Sequence, residues 1–470
     1  MVFNSYEFAV FFAAVLALYW SLPKRYQNPV LLVASYVFYG AWDWRFLGLI
    51  WLSTITDFLV ARRIETTAAP PLRRRLLLLS VMVNLGILGA FKYAGFFVES
   101  FAGLLDGLGL AANRPVLDVV LPVGISFYTF QTLGYTIDVF KGRLPAERRL
   151  GVFALYVAFF PQLVAGPIER ARRLLPQLGA PRTAPSTERI TEGAGLIVIG
   201  LFKKVVIADG LAPIVNDVFA DAGSASGLAL LFGVYAFALQ IYGDFSGYSS
   251  IARGTAKLLN IELMVNFRQP YLSKNITEFW RTWHISLSTW LRDYLYIPLG
   301  GNRTGVSRTY RNLMATMLLG GLWHGASWTF VVWGGLHGLY LAVHRSRGRR
   351  DRPVEPRPFG VGDVLPALAT FHLVGLAWIF FRAETFSQAF EVLRGIAGWR
   401  EGSVGFEAFW LVLVLGAASL FLDLAQRNGR SATILPPLAP ATRGAFVGLV
   451  LVAVLVFSGE TPVPFIYFQF

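Results

Sequence analysis

A chain of 470 residues with 55% hydrophobic and 15% charged side chains, and a mean hydropathy of +0.53, has the composition of a polytopic membrane protein. The net charge of +14 would suit a nucleic-acid partner, but the basic residues fall in short clusters between apolar runs, as membrane sidedness requires, so no nucleic acid is expected. The absence of cysteine excludes a thiol nucleophile, a cysteine acyl-enzyme, disulfides and cysteine metal sites.

Residues Met1 to Glu7 carry no basic residue, and Lys24 and Arg25 follow the first apolar run. The run therefore reads as a retained anchor with an outer N-terminus, not as a cleavable signal. Apolar runs lie near 8–22, 28–42, 46–60, 76–97, 116–140, 190–208, 229–250, 311–328, 330–344, 362–381, 409–425 and 444–460. Several approach the lower limit of about 17 residues for a spanning helix, and the pattern predicts about eleven or twelve transmembrane helices. Cytoplasmic loops then carry Arg62 and Arg63 with Arg73, Arg74 and Arg75. Later inner loops carry Arg345, Arg347, Arg349, Arg350 and Arg352, then Arg427, Arg430 and Arg443. No stretch between spans is long enough to bury a core of its own.

Two stretches break the alternation. Leu150–Pro167 has Lys141, Arg143, Arg148 and Arg149 before it and Arg170, Arg172 and Arg173 after it. A hairpin entering and leaving on the cytoplasmic face accommodates both clusters, with breaks at Pro161, Gly166 and Pro167, provided protein buries the broken backbone. In Glu278–Gly300, Trp280, Trp283, Leu287, Leu291 and Tyr294 recur at helical spacing beside a polar stripe of Arg281, His284, Ser288 and Arg292. That pattern predicts an amphipathic helix lying at the membrane interface or dipping into it, with or without chemistry.

Five histidines remain to be sorted. His344 lies among arginines and reads as a solvated flank residue. His372 has no polar companion in sequence and reads as a packing group, while Gly334 and Gly335 leave the direction of His337 open. His324 is unusual, because no charged residue occurs between Asn312 and Val343. An ionisable group at membrane depth is a functional-site candidate by default. Gly320, Gly321, Gly325 and Ala326 leave room beside its ring for a substrate or a close backbone. A packing histidine bonded to a carbonyl fits the same residues. No His-Glu-x-x-His or clustered carboxylate occurs, so no catalytic metal is expected. Asp244-Phe245-Ser246-Gly247 has the wrong frame for a nucleophile elbow. A lone buried imidazole suits general-base catalysis, in which it removes a hydroxyl proton while the oxygen attacks an acyl group. Burial favours the neutral ring that a base must be.

Several long strings carry a family resemblance. They are Gln269-Pro270-Tyr271, the run from Phe279 to Ser288, Trp290-Leu291-Arg292-Asp293-Tyr294, Ile297-Pro298-Leu299-Gly300-Gly301-Asn302-Arg303, and Gly320-Gly321-Leu322-Trp323-His324-Gly325. Phe160–Ile168, Tyr242–Ser249, an early Asn4-Ser5 with Phe8, and Trp378–Glu384 extend the match over nearly the whole chain. The sequence resembles the membrane-bound O-acyltransferase family, in particular its bacterial exopolysaccharide O-acetyltransferase branch.

The resemblance implies an all-α polytopic membrane protein with interfacial or re-entrant helices around a central funnel. It would form a single membrane domain over 1–470, with a catalytic core at 120–345 and flanking helices at 1–110 and 362–470. His324 matches the family's essential histidine and His284 its second position. Arg281 and Arg292 would contact donor phosphates, although lipid contact explains them equally well. Ser288 and Trp323 join them as substrate-binding candidates. Asp244, Ser246 and Tyr248 are tunnel-lining candidates, with polar packing as the other reading.

The implied reaction is acetyl transfer from a cytosolic thioester to an outward-facing hydroxyl. Acetyl-CoA would be the donor substrate, and no bound cofactor is expected. The implied partners are the lipid bilayer of the bacterial inner membrane, periplasmic acetyltransferase proteins and a polysaccharide acceptor. Two alternatives stay open. A transporter of acyl groups or glycan would share the broken helices and buried histidines. A teichoic-acid D-alanyl transferase would share the histidine pair, although the Ile297–Asn302 string and chain length resemble the acetyltransferase branch more.

Overall fold

The computed structural model describes residues 1–110, 120–303, 305–348, 358–429, 433, 439–459 and 463–466. Of the basic clusters, Arg349, Arg350, Arg352 and Arg430 lie outside the described residues. Every regular element among the described residues is helical. Helices satisfy their backbone bonds internally, which hydrocarbon demands.

Each of the twelve apolar runs contains a helix. Among the described residues, six segments are long and apolar enough to cross a membrane: Lys24–Thr66, Pro70–Gly107, Gly227–Leu258, Val361–Arg382, Phe406–Asn428 and Pro440–Phe457. The count is below the expected eleven or twelve for two reasons. Lys24–Thr66 joins two of the expected runs, and other runs form helices that are shorter or more polar. Tyr6–Ser21, for example, has 16 residues, and Val306–His324 opens with Arg308 and Arg311.

The chain divides into two compact units. The first comprises Phe3–Ser186 with Ala256–Leu263, the second Thr187–Thr255 with the chain from Met264 onward. In the first unit, Leu150–Pro167 forms two short helices, Leu150–Ala158 and Phe160–Leu163, broken at Phe159. Every residue from 152 to 171 is buried. A buried carbonyl near the helix end is satisfied by side chains, since the Gln131 and Gln162 amides donate to Tyr156 O at 2.5 and 3.0 Å. Phe160 N, at the next start, donates to Ser35 Oγ at 3.1 Å. A Cβ on Gly166 would lie 2.4 Å from Gln162 Cα, so only glycine fits that turn.

In the second unit, Glu278–Gly300 departs from the expected single amphipathic helix. It forms Ile276–Thr282 and Ile285–Leu291, separated at Trp283 and His284, with a π-type turn over Arg292–Tyr296. Phe279, Trp283, His284, Ser286 and Leu287 are fully or almost fully buried, so protein covers the apolar face.

The helices Val306–His324 and Trp328–Ser346 form a tight hairpin in the same unit. Gly321 and Gly334 serve backbone contact, which for Gly321 is one of the two uses anticipated from sequence, whereas a Cβ on Gly320 or Gly325 would meet the side chains of Leu291 and Phe330. A Cβ on Gly321 would sit 2.2 Å from Phe330 O, and one on Gly334 would sit 2.3 Å from Met317 O. Neighbouring Gly335 is different, because its Cβ would meet only Leu318 Cδ1's geminal partner Cδ2, at 3.5 Å. We therefore expect Gly334→Ala to destabilise the protein by about 1–3 kcal/mol through overpacking while Gly335→Ala is tolerated. Thermal unfolding of the two detergent-solubilised variants checks this, and equal losses would contradict the packing.

Candidate active site

The site grows from the interruption at Trp283–His284. Asn275 caps the first short helix by accepting from Glu278 N at 2.9 Å, and Ser288 Oγ donates to Trp283 O at 3.1 Å beyond the break. His284 itself has φ +42° and ψ +53°, a left-handed conformation that side-chain-bearing residues adopt at a cost of about 1–3 kcal/mol. It persists because Asn266 holds the next turn. Asn266 O accepts from Ile285 N at 2.9 Å, and Asn266 Oδ1 accepts from Ser286 N at 3.1 Å and Ser286 Oγ at 2.9 Å. The same Oδ1 lies 3.2 Å from His284 Nδ1.

His324 is the last residue of its helix, and extended Gly325 follows it. The two imidazoles come together with ring centroids 6.1 Å apart. Aromatic rings enclose them: Phe245 lies 4.6 Å and Trp323 5.9 Å from His284, and Trp333 5.0 Å and Phe381 5.5 Å from His324. His284 is 0% and His324 3% exposed. In such a dry surround a hydrogen bond or charge acts more strongly than in water. Burial pushes the His284 imidazole down to about 3, so the ring is neutral at physiological pH.

Two cavities adjoin this region. The first, of about 470 Å³, is bordered by Asn266 and Phe267, by Ser246 and Ser249, and by the cations Lys203, Arg253, Arg268, Arg281 and Arg427. Its one lining carboxylate, Glu278, pairs with Arg427 at 3.3 Å. The second, of about 600 Å³, is lined by Arg281, Arg292 and Arg345 with Ser288, Thr289 and Tyr296, and no carboxylate lines it among the described residues. Arg281 borders both.

The sequence-predicted residues thus fall into separate places. His284, His324 and Trp323 form one cluster. Ser246 borders the first cavity, Ser288 and Arg292 the second, and Arg281 both. Arg292 also pairs with Asp293 at 2.8 Å. Asp244 lies in a buried ion network, 2.9 Å from Lys204, and accepts from Ile466 N at 2.6 Å. Tyr248 packs on Phe465 with centroids 5.1 Å apart.

The other three histidines make packing and polar contacts. His337 is buried, stacks on Phe279 and accepts from Trp280 Nε1 at 3.3 Å. His344 is half-buried and lies 3.0 Å from Thr277 Oγ1, so it is not a freely solvated flank residue. His372 does have a polar companion, Tyr235 OH at 2.8 Å, which sequence order placed too far away to see.

The chain has relatives of known family. The chain is 45% identical over 394 residues to the probable alginate O-acetylase AlgI of Azotobacter vinelandii, covering 83% of this chain and 77% of that protein. It is 40% identical to the probable alginate O-acetylase AlgI of Pseudomonas putida over the whole length of both. A peptidoglycan O-acetyltransferase of Helicobacter pylori is 37% identical, over 85% of this chain and 80% of that protein. The chain belongs to the membrane-bound O-acyltransferase family.

The family's model matches residues 150–362, a range that contains both imidazoles, the whole lining of the second cavity, that of the first apart from Gln426 and Arg427, and the buried Leu150–Pro167 segment. The protein is a multi-pass membrane acyltransferase. Sequence reasoning missed Asn266, Lys203, Arg253 and Arg268. Asn266 stands three residues before the recognised Gln269-Pro270-Tyr271 string, but nothing in its spacing pairs it with a histidine 18 positions later.

A pH dependence follows from His284. Its folded pKa lies below its unfolded value, so between them the unfolded chain binds the extra proton, and stability falls as pH drops below about 6.5. From pH 7 to pH 5 the wild type is expected to lose about 2 kcal/mol more than His284→Asn. Thermal melts of both proteins across that range check the sign and size.

Proposed function

We propose that this membrane-bound O-acyltransferase moves an acetyl group from a cytosolic thioester, acetyl-CoA, to an outward-facing hydroxyl used in exopolysaccharide O-acetylation. The observation that carries the reading is the pair of buried imidazoles, His324 and His284, 6.1 Å apart in one aromatic enclosure. A neutral imidazole is a competent general base, and a dry aromatic surround protects a thioester from water. The names of the relatives support acetyl as the group and a cell-surface glycan as the destination.

In the proposed step, a neutral nitrogen of His324 takes the proton of the acceptor hydroxyl as its oxygen attacks the thioester carbonyl. The new C–O bond forms, the C–S bond breaks, and the departing thiolate receives the proton from the imidazolium. His284 lines the donor entry beside it. The arginine-rich cavities suit the phosphates of the donor, with Arg281 shared between them. Ser246, Ser288 and Arg292 line the same cavities, and Trp323 walls the imidazole pair. Asp244 and Tyr248 act on the reaction through packing. The chain would reside in the bacterial inner membrane, with periplasmic acetyltransferase proteins carrying the acetyl group onward to the polymer.

The test is acetyl ester content of exported polysaccharide in a strain lacking the chain, complemented at matched membrane levels. His324→Gln is expected to reduce transfer about 10²–10⁴-fold, the usual contribution of a general base, while His372→Ala leaves it intact. Undiminished ester with His324→Gln would point instead to transport without chemistry. Arg281→Gln is expected to weaken acetyl-CoA use by about tenfold or more, the loss of one charge-assisted hydrogen bond, read as a raised KM in isolated membranes.

A further inference from the structure

The contacts of Asn266 determine where the proton on His284 sits. An asparagine side chain presents an oxygen that only accepts and a nitrogen that donates, and the two atoms are told apart by their neighbours. Here one neighbour is the backbone N–H of Ser286, 3.1 Å away, which can only donate. The atom facing it is therefore the oxygen. His284 Nδ1 faces that same oxygen at 3.2 Å, so Nδ1 must carry hydrogen. A neutral imidazole with its proton on Nδ1 holds its lone pair on Nε2.

We propose that Asn266 is the positioning residue that selects the Nδ1–H tautomer of His284 and so presents Nε2 as a hydrogen-bond acceptor to the reaction. An unrestrained neutral histidine prefers the other tautomer, with the proton on Nε2, and the asparagine overrides that preference. Three further observations support the assignment. His284 is fully buried, so water does not compete for its Nδ1 proton. The ring is carried by a left-handed residue whose following turn is bonded to Asn266 through both Asn266 O and Oδ1, so ring and amide cannot drift independently. The Asn266 amide nitrogen donates to Ser249 Oγ at 3.4 Å, and both residues border the first cavity, so the amide is held from its other side as well.

The consequence for chemistry rests on the proposed acyl transfer at the imidazole pair. An acceptor nitrogen on His284 would hold a hydroxyl or amide hydrogen of a substrate in place beside His324, whereas a donor nitrogen there would favour a carbonyl oxygen. Asn266 thus decides which kind of group His284 can orient.

The experiment uses the full chain, labelled with ¹⁵N-histidine, in lipid nanodiscs at pH 7.5. The signals of His284 are identified by their disappearance in His284→Ala, and the protonated nitrogen is read from the ¹⁵N shifts. The same variants are scored for polysaccharide acetyl ester in cells. We expect a protonated Nδ1 in the wild type and in Asn266→Asp, whose carboxylate still accepts from it, with ester within about threefold of wild type. Asn266→Ala is expected to move the proton to Nε2 and to lower ester at least tenfold at matched protein levels. A wild-type proton on Nε2, an unchanged tautomer in Asn266→Ala, or full ester in that variant would each overturn the inference. If Asn266→Ala fails to accumulate, the wild-type and Asn266→Asp spectra still decide it. Failure of the acyl-transfer reading is seen separately, as undiminished ester in His324→Gln.

Discussion

In a membrane protein an unsatisfied backbone amide or carbonyl costs several kcal/mol, so each helix interruption must find its replacement bonds nearby. The two helix interruptions in this structure show how that constraint is met. The break at Phe159 is closed by the amides of Gln131 and Gln162 and the hydroxyl of Ser35. The break at Trp283–His284 is closed by Asn266 and Ser288. Because the second repair is made by a residue that also touches the imidazole, the same bonds that permit the break orient the ring. The strain at His284 is therefore held by the feature that makes the residue useful.

Charge obeys a parallel rule. Lys203 and Lys204 are buried and face Asp423, Asp209 and Asp244 at 3.6, 2.6 and 2.9 Å. Tyr242 OH donates to Asp423 at 2.8 Å, and the Lys203 ammonium lies 5.0 Å from the centre of the Tyr242 ring. Such charges persist in a core only when each is answered by a partner, and removing one partner leaves the other stranded. Lys203 and Tyr242 also border the first cavity, so this network forms part of the wall behind the arginines. In the first unit Asp57 solves the same problem without a cation, accepting from Asn84 Nδ2 at 2.8 Å and Thr136 Oγ1 at 3.0 Å, and bonding Ser80.

Much of this was readable in the sequence because it rests on local composition. Each of the twelve predominantly apolar runs contains a helix among the described residues, because such a run has few other ways to satisfy its backbone. The twin basic flanks of Leu150–Pro167 signalled a broken segment, and the chain breaks there. The Glu278–Gly300 stretch was misread as one amphipathic helix because its apolar spacing is helical on both sides of the interruption. Periodicity cannot register a single left-handed residue between two helices. The companion of His372 was invisible for another reason, since Tyr235 stands 137 positions earlier.

By itself the sequence determined the all-helical membrane class, the family and the two histidines worth attention, because hydropathy and contiguous motif strings are properties of neighbouring residues. Only the tertiary structure decided that His284 and His324 share one aromatic enclosure, and that Asp244 belongs to an ion network with Lys204. It alone also decided that Gly321 and Gly334 serve a helix crossing and that Asn266 touches the His284 ring. Each of these depends on contacts between residues separated by 9 to 40 positions, whose distances are set by helix packing and by where the backbone breaks.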